Sequence, residues 1–429
     1  MMKKSRDVLV IGLALFAMFF GAGNLIFPPQ LGVMSGDQWW LGILGFFSTD
    51  VGLSILGVIA VAKAGGDFNA FAQKAGNRFS KVMGAVVMLC IGPLLAIPRT
   101  GAVSFEMGMV PLYSEIPQVL FTGFYFGSAM LFVLNPKGIV DKVGKWLTPV
   151  LLFSLLGIIV KNILSPAGIP GNAEVGNVYS YAFLQGYQTL DGLAAVTFSG
   201  VILMVLKEKG YSDISSQVKM TIRSGLVAFG IIGMVYGGLI YLGATGGTLL
   251  PEGLSRTQTF MALVGNIFGE WGIWVVAVAV IFACFTTTVG LTAAVSEYFN
   301  ELSQGKISYK ANVVAITLMS FLLANLGVEQ IVRFSGPMLG IIYPAIVVLI
   351  VLNLFDKYIP SNRVYAGAVG GTLLFSILVC LSDLFGTLEP MKEWLLSLPL
   401  GQYEMGWVLP ALIGAVAIPF ANRVIPRRL

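Results

Sequence analysis

The sequence predicts an all-α integral membrane protein, one polytopic domain over residues 1–429 with twelve transmembrane helices. Three observations predict it: a charge deficit, a regular train of apolar runs, and one-sided placement of lysine and arginine. Only 11 % of the residues are charged and 56 % are hydrophobic, with a mean hydropathy of +0.86, whereas a soluble domain carries about 25 % charged residues. Runs of about 20 apolar residues span a ~30 Å hydrocarbon core. Such runs fall at 8–34, 38–63, 80–108, 117–134, 146–165, 182–206, 221–244, 270–296, 310–326, 332–355, 363–383 and 404–421. The connections carry turn residues and charge, as in Asn135-Pro136-Lys137-Gly138 and Lys207-Glu208-Lys209-Gly210. Connections 64–79, 166–181, 245–269 and 384–403 are long enough for short interfacial helices.

Charge placement then sets the orientation. With the N-terminus in the cytoplasm, Lys3, Lys4, Arg6, Lys63, Lys74, Lys137, Lys142, Lys145, Lys207, Lys209, Lys306, Lys357, Arg423, Arg427 and Arg428 all lie on that side. Lys161, Arg256, Arg333 and Lys392 lie outside, and Arg99 falls within the third run. That alternation follows the positive-inside rule. The expected location is a cytoplasmic membrane, multi-pass, both termini cytoplasmic. The first run lacks a small-residue cleavage pattern, so no cleaved signal peptide is expected.

The first run, 8–34, is interrupted at Gly21-Ala22-Gly23-Asn24 and again at Pro28-Pro29. Each glycine costs about 1 kcal/mol in a helix interior relative to alanine. In lipid, backbone groups left unpaired cost several kcal/mol more, so an interruption persists only where they face protein, a water-filled cavity or a ligand. Residues 21–24 are therefore the first candidate binding site. Run six holds Thr189-Leu190-Asp191-Gly192 at a corresponding depth. A charged Asp at a membrane centre costs about 2.5–3.5 kcal/mol on insertion scales and marks a functional site. Runs one and six start on opposite faces. Two broken helices at the midplane are thus what a 5+5 inverted repeat gives, the usual mark of a secondary transporter's central site. The repeats would be 1–165 and 180–355, with two additional helices in 360–429.

Other chemistries are poorly supplied. Histidine is absent, which removes imidazole catalysis, His–metal sites and His proton relays. Cys90, Cys284 and Cys380 are isolated in apolar runs. An integral-membrane enzyme needs a nucleophile–base pair or a metal cluster, and no such motif occurs. There is no Gly-x4-Gly-Lys-Ser/Thr loop for ATP and no filter motif for a channel. The basic loops set topology and meet headgroups rather than nucleic acid. No cofactor is expected.

The string Phe20-Gly21-Ala22-Gly23-Asn24-Leu25-Ile26-Phe27-Pro28 resembles the broken first helix of LeuT-fold transporters, and Phe282-Ala283-Cys284-Phe285-Thr286-Thr287-Thr288 resembles their sodium-binding eighth helix. With Tyr187-Gln188-Thr189-Leu190-Asp191 added, the chain is similar to the bacterial branched-chain amino acid:cation symporters (LIVCS). That resemblance implies a substrate (leucine, isoleucine or valine) held at Ala22, Gly23, Asn24 and Leu25 on one side. Thr189, Leu190, Asp191 and Gly192 lie on the other. It implies a sodium site at the carbonyls of Ala17, Phe20 and Ala283 and the hydroxyls of Thr286 and Thr287. Asp191 departs from the neutral hydroxyl residue some relatives have, and stays open to three uses: receiving the substrate ammonium, holding a cation, or titrating. Sodium or proton therefore remain the two coupling ions. Pro93, Arg99 and Thr100 fall at pocket depth in run three, Thr100 as a carboxylate contact.

Plainer roles compete for each residue. Gly21 and Gly23 can serve close helix packing. Thr286 to Thr288 can bond back to their own helix. Asp191 can cap a half-helix. Asp50 and Arg99 are expected to form a structural ion pair, and Phe198-Ser199-Gly200 to be an inner-helix packing feature or an alternative break.

Overall fold

The computed structural model describes residues 2–134, 139–384, 393–395 and 397–424, and the chain is almost entirely helical. Lys137, Lys392, Arg427 and Arg428, expected in loops and tail, lie outside the described residues, as do 385–391 and 396 of the connection 384–403. Among the described residues six helical stretches are long and apolar enough to cross a membrane, and four shorter apolar helices accompany them. The exterior is apolar where a bilayer would lie: Phe124, Phe153, Trp271 and Val416 are each more than 70 % exposed. In water such a surface would be an aggregation hazard; against lipid it is the required solvent match.

Helices α1 (Met2–Phe19) and α2 (Gly23–Ser35) occupy the first apolar run. Phe20 and Gly21 between them are non-helical. Helices α3 (Trp39–Thr49) and α4 (Val51–Ala64) meet at Asp50. After a short α5 (Phe68–Ala72), the third run is broken twice by π-turns. Helix α6 (Asn77–Leu89) leads into a π-turn, Cys90–Leu94, that contains Pro93 and a kinked Gly92. Helix α7 (Ala96–Val103) follows, then a second π-turn, Ser104–Met109, and α8 (Val110–Leu112). Pro93 has no N–H to donate, so the ladder must widen there; π-turns of this kind concentrate at functional sites. Next come α9 (Gln118–Leu134), α10 (Ile139–Leu164), α11 (Val178–Gln188) and α12 (Asp191–Glu208). Helices α13 (Ile214–Gly246) and α14 (Arg256–Leu302) follow; α14 turns sharply at Gly269, φ 64°. Helices α15 (Tyr309–Ala324), α16 (Val328–Leu354), α17 (Asn362–Leu384) and α18 (Val408–Val424) complete the chain.

Side chains cap several helix starts. Asn177 accepts from the Ser180 N–H (3.1 Å), Asp213 from Ser216 (2.8 Å) and Ser308 from Ala311 (3.2 Å), while Ser255 and Gln258 form a reciprocal capping box. Helices α2 and α12, which begin at the two interruptions, have no such side-chain cap. Their first N–H groups are thus left with weak bonds: Asn24 N–H to Gly21 at 3.2 Å, Leu25 N–H to Ala22 at 3.3 Å, Asp191 N–H to the Thr189 hydroxyl at 3.4 Å.

Packing holds α2 and α11 in place. A Cβ at Gly32 would lie 2.0 Å from the Ile240 carbonyl oxygen, and one at Gly243 the same distance from that of Pro29. The backbones of α2 and α13 therefore touch, the close approach that small residues permit between membrane helices. Gly243→Leu is expected to separate them and lower the melting temperature of the purified protein by several degrees; an unchanged melting curve would mean that the contact contributes little. Thr49 ties α3 to α11 by donating to the Phe183 carbonyl at 2.8 Å. Helix α12 runs through 198–200 without interruption, in keeping with a packing role for that segment.

Candidate functional site

A cavity of about 430 Å³ lies between the interruptions, within the ~300–1,000 Å³ usual for small-ligand sites. Gly21, Ala22, Gly23 and Asn24 line it from the first interruption, and Thr189, Leu190 and Asp191 from the second. Arg99 and Thr100 from α7 and Thr286 and Thr287 from α14 close the polar side. Ile91, Ala194, Leu291 and Ala294 supply apolar lining. Residues far apart in sequence thus meet at one space.

The second interruption has a specific cause. Leu190 adopts the left-handed conformation, φ 72° and ψ 5°, between the end of α11 and the start of α12. For a leucine this is a sparsely populated region costing of order 1–3 kcal/mol, and such strain persists only where the surroundings impose it. Two ties impose it. The Arg99 guanidinium donates to the carbonyls of Gln188 and, at 3.1 Å, Thr189. The Thr189 hydroxyl donates to Asp50 Oδ1 at 2.6 Å. Arg99 thereby sits on the carbonyl end of α11, where the helix dipole favours a cation.

Between the two interruptions, Asn24 Nδ2 donates to Asp191 Oδ2 at 2.7 Å and also meets the Tyr236 hydroxyl. The Asn24 Oδ1 accepts from the Gly21 N–H at 3.1 Å. One side chain therefore braces the first interruption and bridges to the second. The Asp191 and Asp50 carboxyls face one another, and Asp50 Oδ2 has no protein hydrogen-bond partner. Asp50 and Arg99 do not pair as expected. The Arg99 guanidinium donates to two backbone carbonyls and Asp50 accepts from Thr189, so each is held at the end of α11 instead.

The hydroxyls on α14 donate back to their own helix: Thr286 and Thr287 both to the Ala283 carbonyl at 3.0 Å, and Thr288 to Cys284 at 3.0 Å. That is the plainer role, but it leaves acceptor sites on Thr286 and Thr287, since a hydroxyl has one donor and two acceptor sites; the Thr288 oxygen instead meets the Thr100 and Tyr125 hydroxyls. Thr286 and Thr287 line the cavity beside Gly21 and Ala22. A set of neutral oxygens suits a monovalent hard cation. Among the described residues no cluster of His, Cys, Asp and Glu of the kind that holds a transition metal or calcium occurs.

The remaining expected residues sit behind this lining. Leu25 is buried in the core, and Phe20 is buried and stacked on Phe16 and Tyr236. Gly192 lies against the Tyr343 ring. Ala283 contributes the carbonyl that both threonines use, and Ala17 lies within α1. Thr100 lines the cavity, yet its hydroxyl contacts the Ile97 carbonyl and the Thr288 hydroxyl, each at 2.6 Å. Arg99 and Tyr236 are the polar groups underread from sequence. Arg99 was visible as a lone intramembrane cation; Tyr236 carries no signal in its neighbours.

The whole chain resembles known proteins. Over 420 residues it is 40 % identical to the branched-chain amino acid permease BraB of Bacillus subtilis, covering 96 % of this chain and 94 % of that one. It is 38 % identical to the branched-chain amino acid transport system 2 carrier protein of Pseudomonas aeruginosa, covering 98 % and 97 %. Its fold matches Mhp1, a nucleobase-cation-symport-1 family transporter, in a closed conformation with bromovinylhydantoin bound: TM-score 0.65, 14 % identity, 98 % of this chain and 93 % of that one. It also matches MhsT in complex with L-phenylalanine: TM-score 0.54, 15 % identity, 96 % and 98 %. The fold is therefore that of the LeuT-like transporters. The model of the branched-chain amino acid transport protein family matches residues 4–425, and the chain belongs to that family.

Proposed function

We propose that this membrane transporter, which is not an enzyme, imports leucine, isoleucine and valine by symport with sodium. Twelve spans arranged as two inverted five-helix repeats plus α17 and α18, with both termini cytoplasmic, would move by alternating access around a fixed central site. The observation that carries this is the single cavity shared by residues 21–24 and 189–191. The amino acid would lie between them, its carboxylate toward the uncapped start of α2, where the helix dipole favours an anion. Its ammonium would lie toward Asp191. The aliphatic side chain would meet Ile91, Ala194, Leu291 and Ala294. Apolar contacts separate neighbours by only about 1–3 kcal/mol per methylene, so all three substrates are accepted. Sodium would be held by Thr286 and Thr287 with the carbonyls of Ala17, Phe20 and Ala283. The family match and the names of the relatives support the substrate class.

One observation favours a second coupling ion. Asp50 and Asp191 line one small space together, and neighbouring carboxyls are a common carrier for a single proton. Labelled-leucine uptake into proteoliposomes, with sodium and pH gradients imposed separately, tests both. Saturable uptake driven by sodium is expected; uptake driven only by the pH gradient replaces sodium with the proton, and no leucine uptake under either gradient ends the proposal. Thr287→Ala is expected to raise the sodium concentration needed for half-maximal uptake about tenfold, with the leucine, isoleucine and valine ranking unchanged. An unaltered sodium response moves the ion elsewhere.

A further inference from the structure

The guanidinium of Arg99 is the group left unexplained by helix packing alone. It is 4 % exposed, lines the cavity, and makes no ion pair among the described residues. Of its five N–H donors, one goes to the Gln188 carbonyl and one to the Thr189 carbonyl, and Nε has no protein partner. The Phe27 ring lies 5.4 Å from its central carbon, a cation–π contact that fixes the plane without using a donor. A buried cation bonded only to neutral carbonyls is costly in a membrane interior, and an anion arriving in the cavity would offset that cost.

Position identifies the anion. The Nη2 end would lie 2.8 Å from a Cβ built on Gly23, so the guanidinium abuts the first helix interruption. Asp191, held by Asn24 at 2.7 Å, stands on the wall beyond Leu190. A zwitterion needs a cationic subsite and an anionic one, and the cavity has both. Resting on the transport proposal above, we infer that Arg99 is the carboxylate-binding residue of the substrate site. The N–H donors of the guanidinium that Gln188 and Thr189 leave unused engage the free α-carboxylate while Asp191 receives the ammonium. The site then demands an unesterified, unamidated carboxyl group, and that demand resides on α7 rather than on the backbone of α2 alone.

The test compares L-leucine with L-leucinamide, which keeps the ammonium and side chain and lacks the carboxylate. Binding is measured by calorimetry on the purified full-length chain in detergent. Wild type is expected to prefer leucine by about 30-fold or more, the size of a charge-assisted bidentate contact. In Arg99→Gln that preference should shrink to about threefold, because leucine weakens and leucinamide does not. If Arg99→Gln fails to fold, Arg99→Lys carries the same test: it keeps the charge, loses the fork, and should weaken leucine about tenfold more than leucinamide. Equal weakening of both ligands in the folded variant would make Arg99 a brace for α11 and overturn the assignment. A wild type that binds leucine and leucinamide equally also overturns it. A wild type that binds neither overturns the transport proposal itself, and this inference with it.

Discussion

Gly23→Leu is expected to abolish leucine uptake in a protein that still inserts and folds, and Gly23→Ala to reduce uptake about tenfold or more. A Cβ at Gly23 would meet Arg99 Nη2 at 2.8 Å, Arg99 Cζ at 3.2 Å and Phe27 Cε2 at 3.4 Å. The guanidinium is the far end of a flexible side chain, but it is pinned on the Gln188 and Thr189 carbonyls. Moving it releases the end of α11 and with it the strained Leu190. The neighbouring glycine provides the control. A Cβ at Gly21 would meet only Asn24 Oδ1, at an ordinary 3.6 Å, so Gly21→Ala should stay within about threefold of wild type. Uptake rates scaled to membrane-inserted protein decide the matter, and similar losses in both alanine variants would show that Gly23 has no special place.

Asp191→Asn is the second large effect. The substitution keeps the shape that meets Asn24 Nδ2 but removes the negative charge. Leaving a cationic group without its buried partner costs about 2–5 kcal/mol, so leucine affinity should fall about 30-fold or more. 4-Methylpentanoate, which is leucine without its ammonium, should bind variant and wild type alike. The same variant separates the two coupling ions. If the proton rides on the Asp50–Asp191 pair, Asp191→Asn leaves uptake indifferent to an imposed pH gradient; if sodium drives transport, any residual uptake keeps its sodium response. Persistent coupling to the pH gradient in that variant would remove the carboxyl pair from the coupling path.

How much could be read in advance differs from residue to residue. Gly21-Ala22-Gly23-Asn24 announces an interruption because glycine is costly in a helix and doubly so in lipid. The chain indeed leaves the helix between Phe19 and Gly23. The stretch 245–269 was legible as a connection, and the turn at Gly269 falls at its end. The second interruption was located from Asp191, yet its device was hidden. A leucine has no preference for positive φ, and its conformation is imposed by partners far away in sequence. Arg99 and Asp50 invited an ion pair because opposite charges in apolar runs normally seek each other. Instead, backbone carbonyls of Gln188 and Thr189 took the guanidinium, and carbonyls are present at every residue and mark none. The threonines of α14 were legible by type, while their bonds to Ala283 follow from helix geometry whatever else they do.

The account rests on the substrate lying between the two helix interruptions. A cryo-electron microscopy map of the full-length protein saturated with leucine tests that most directly. It should contain ligand density bounded by residues 21–24 on one side and 189–191 on the other, with the carboxylate end beside Arg99. Density in the separate apolar cavity lined by Phe121, Phe124, Phe282 and Phe285, with none beside Gly23, would contradict it.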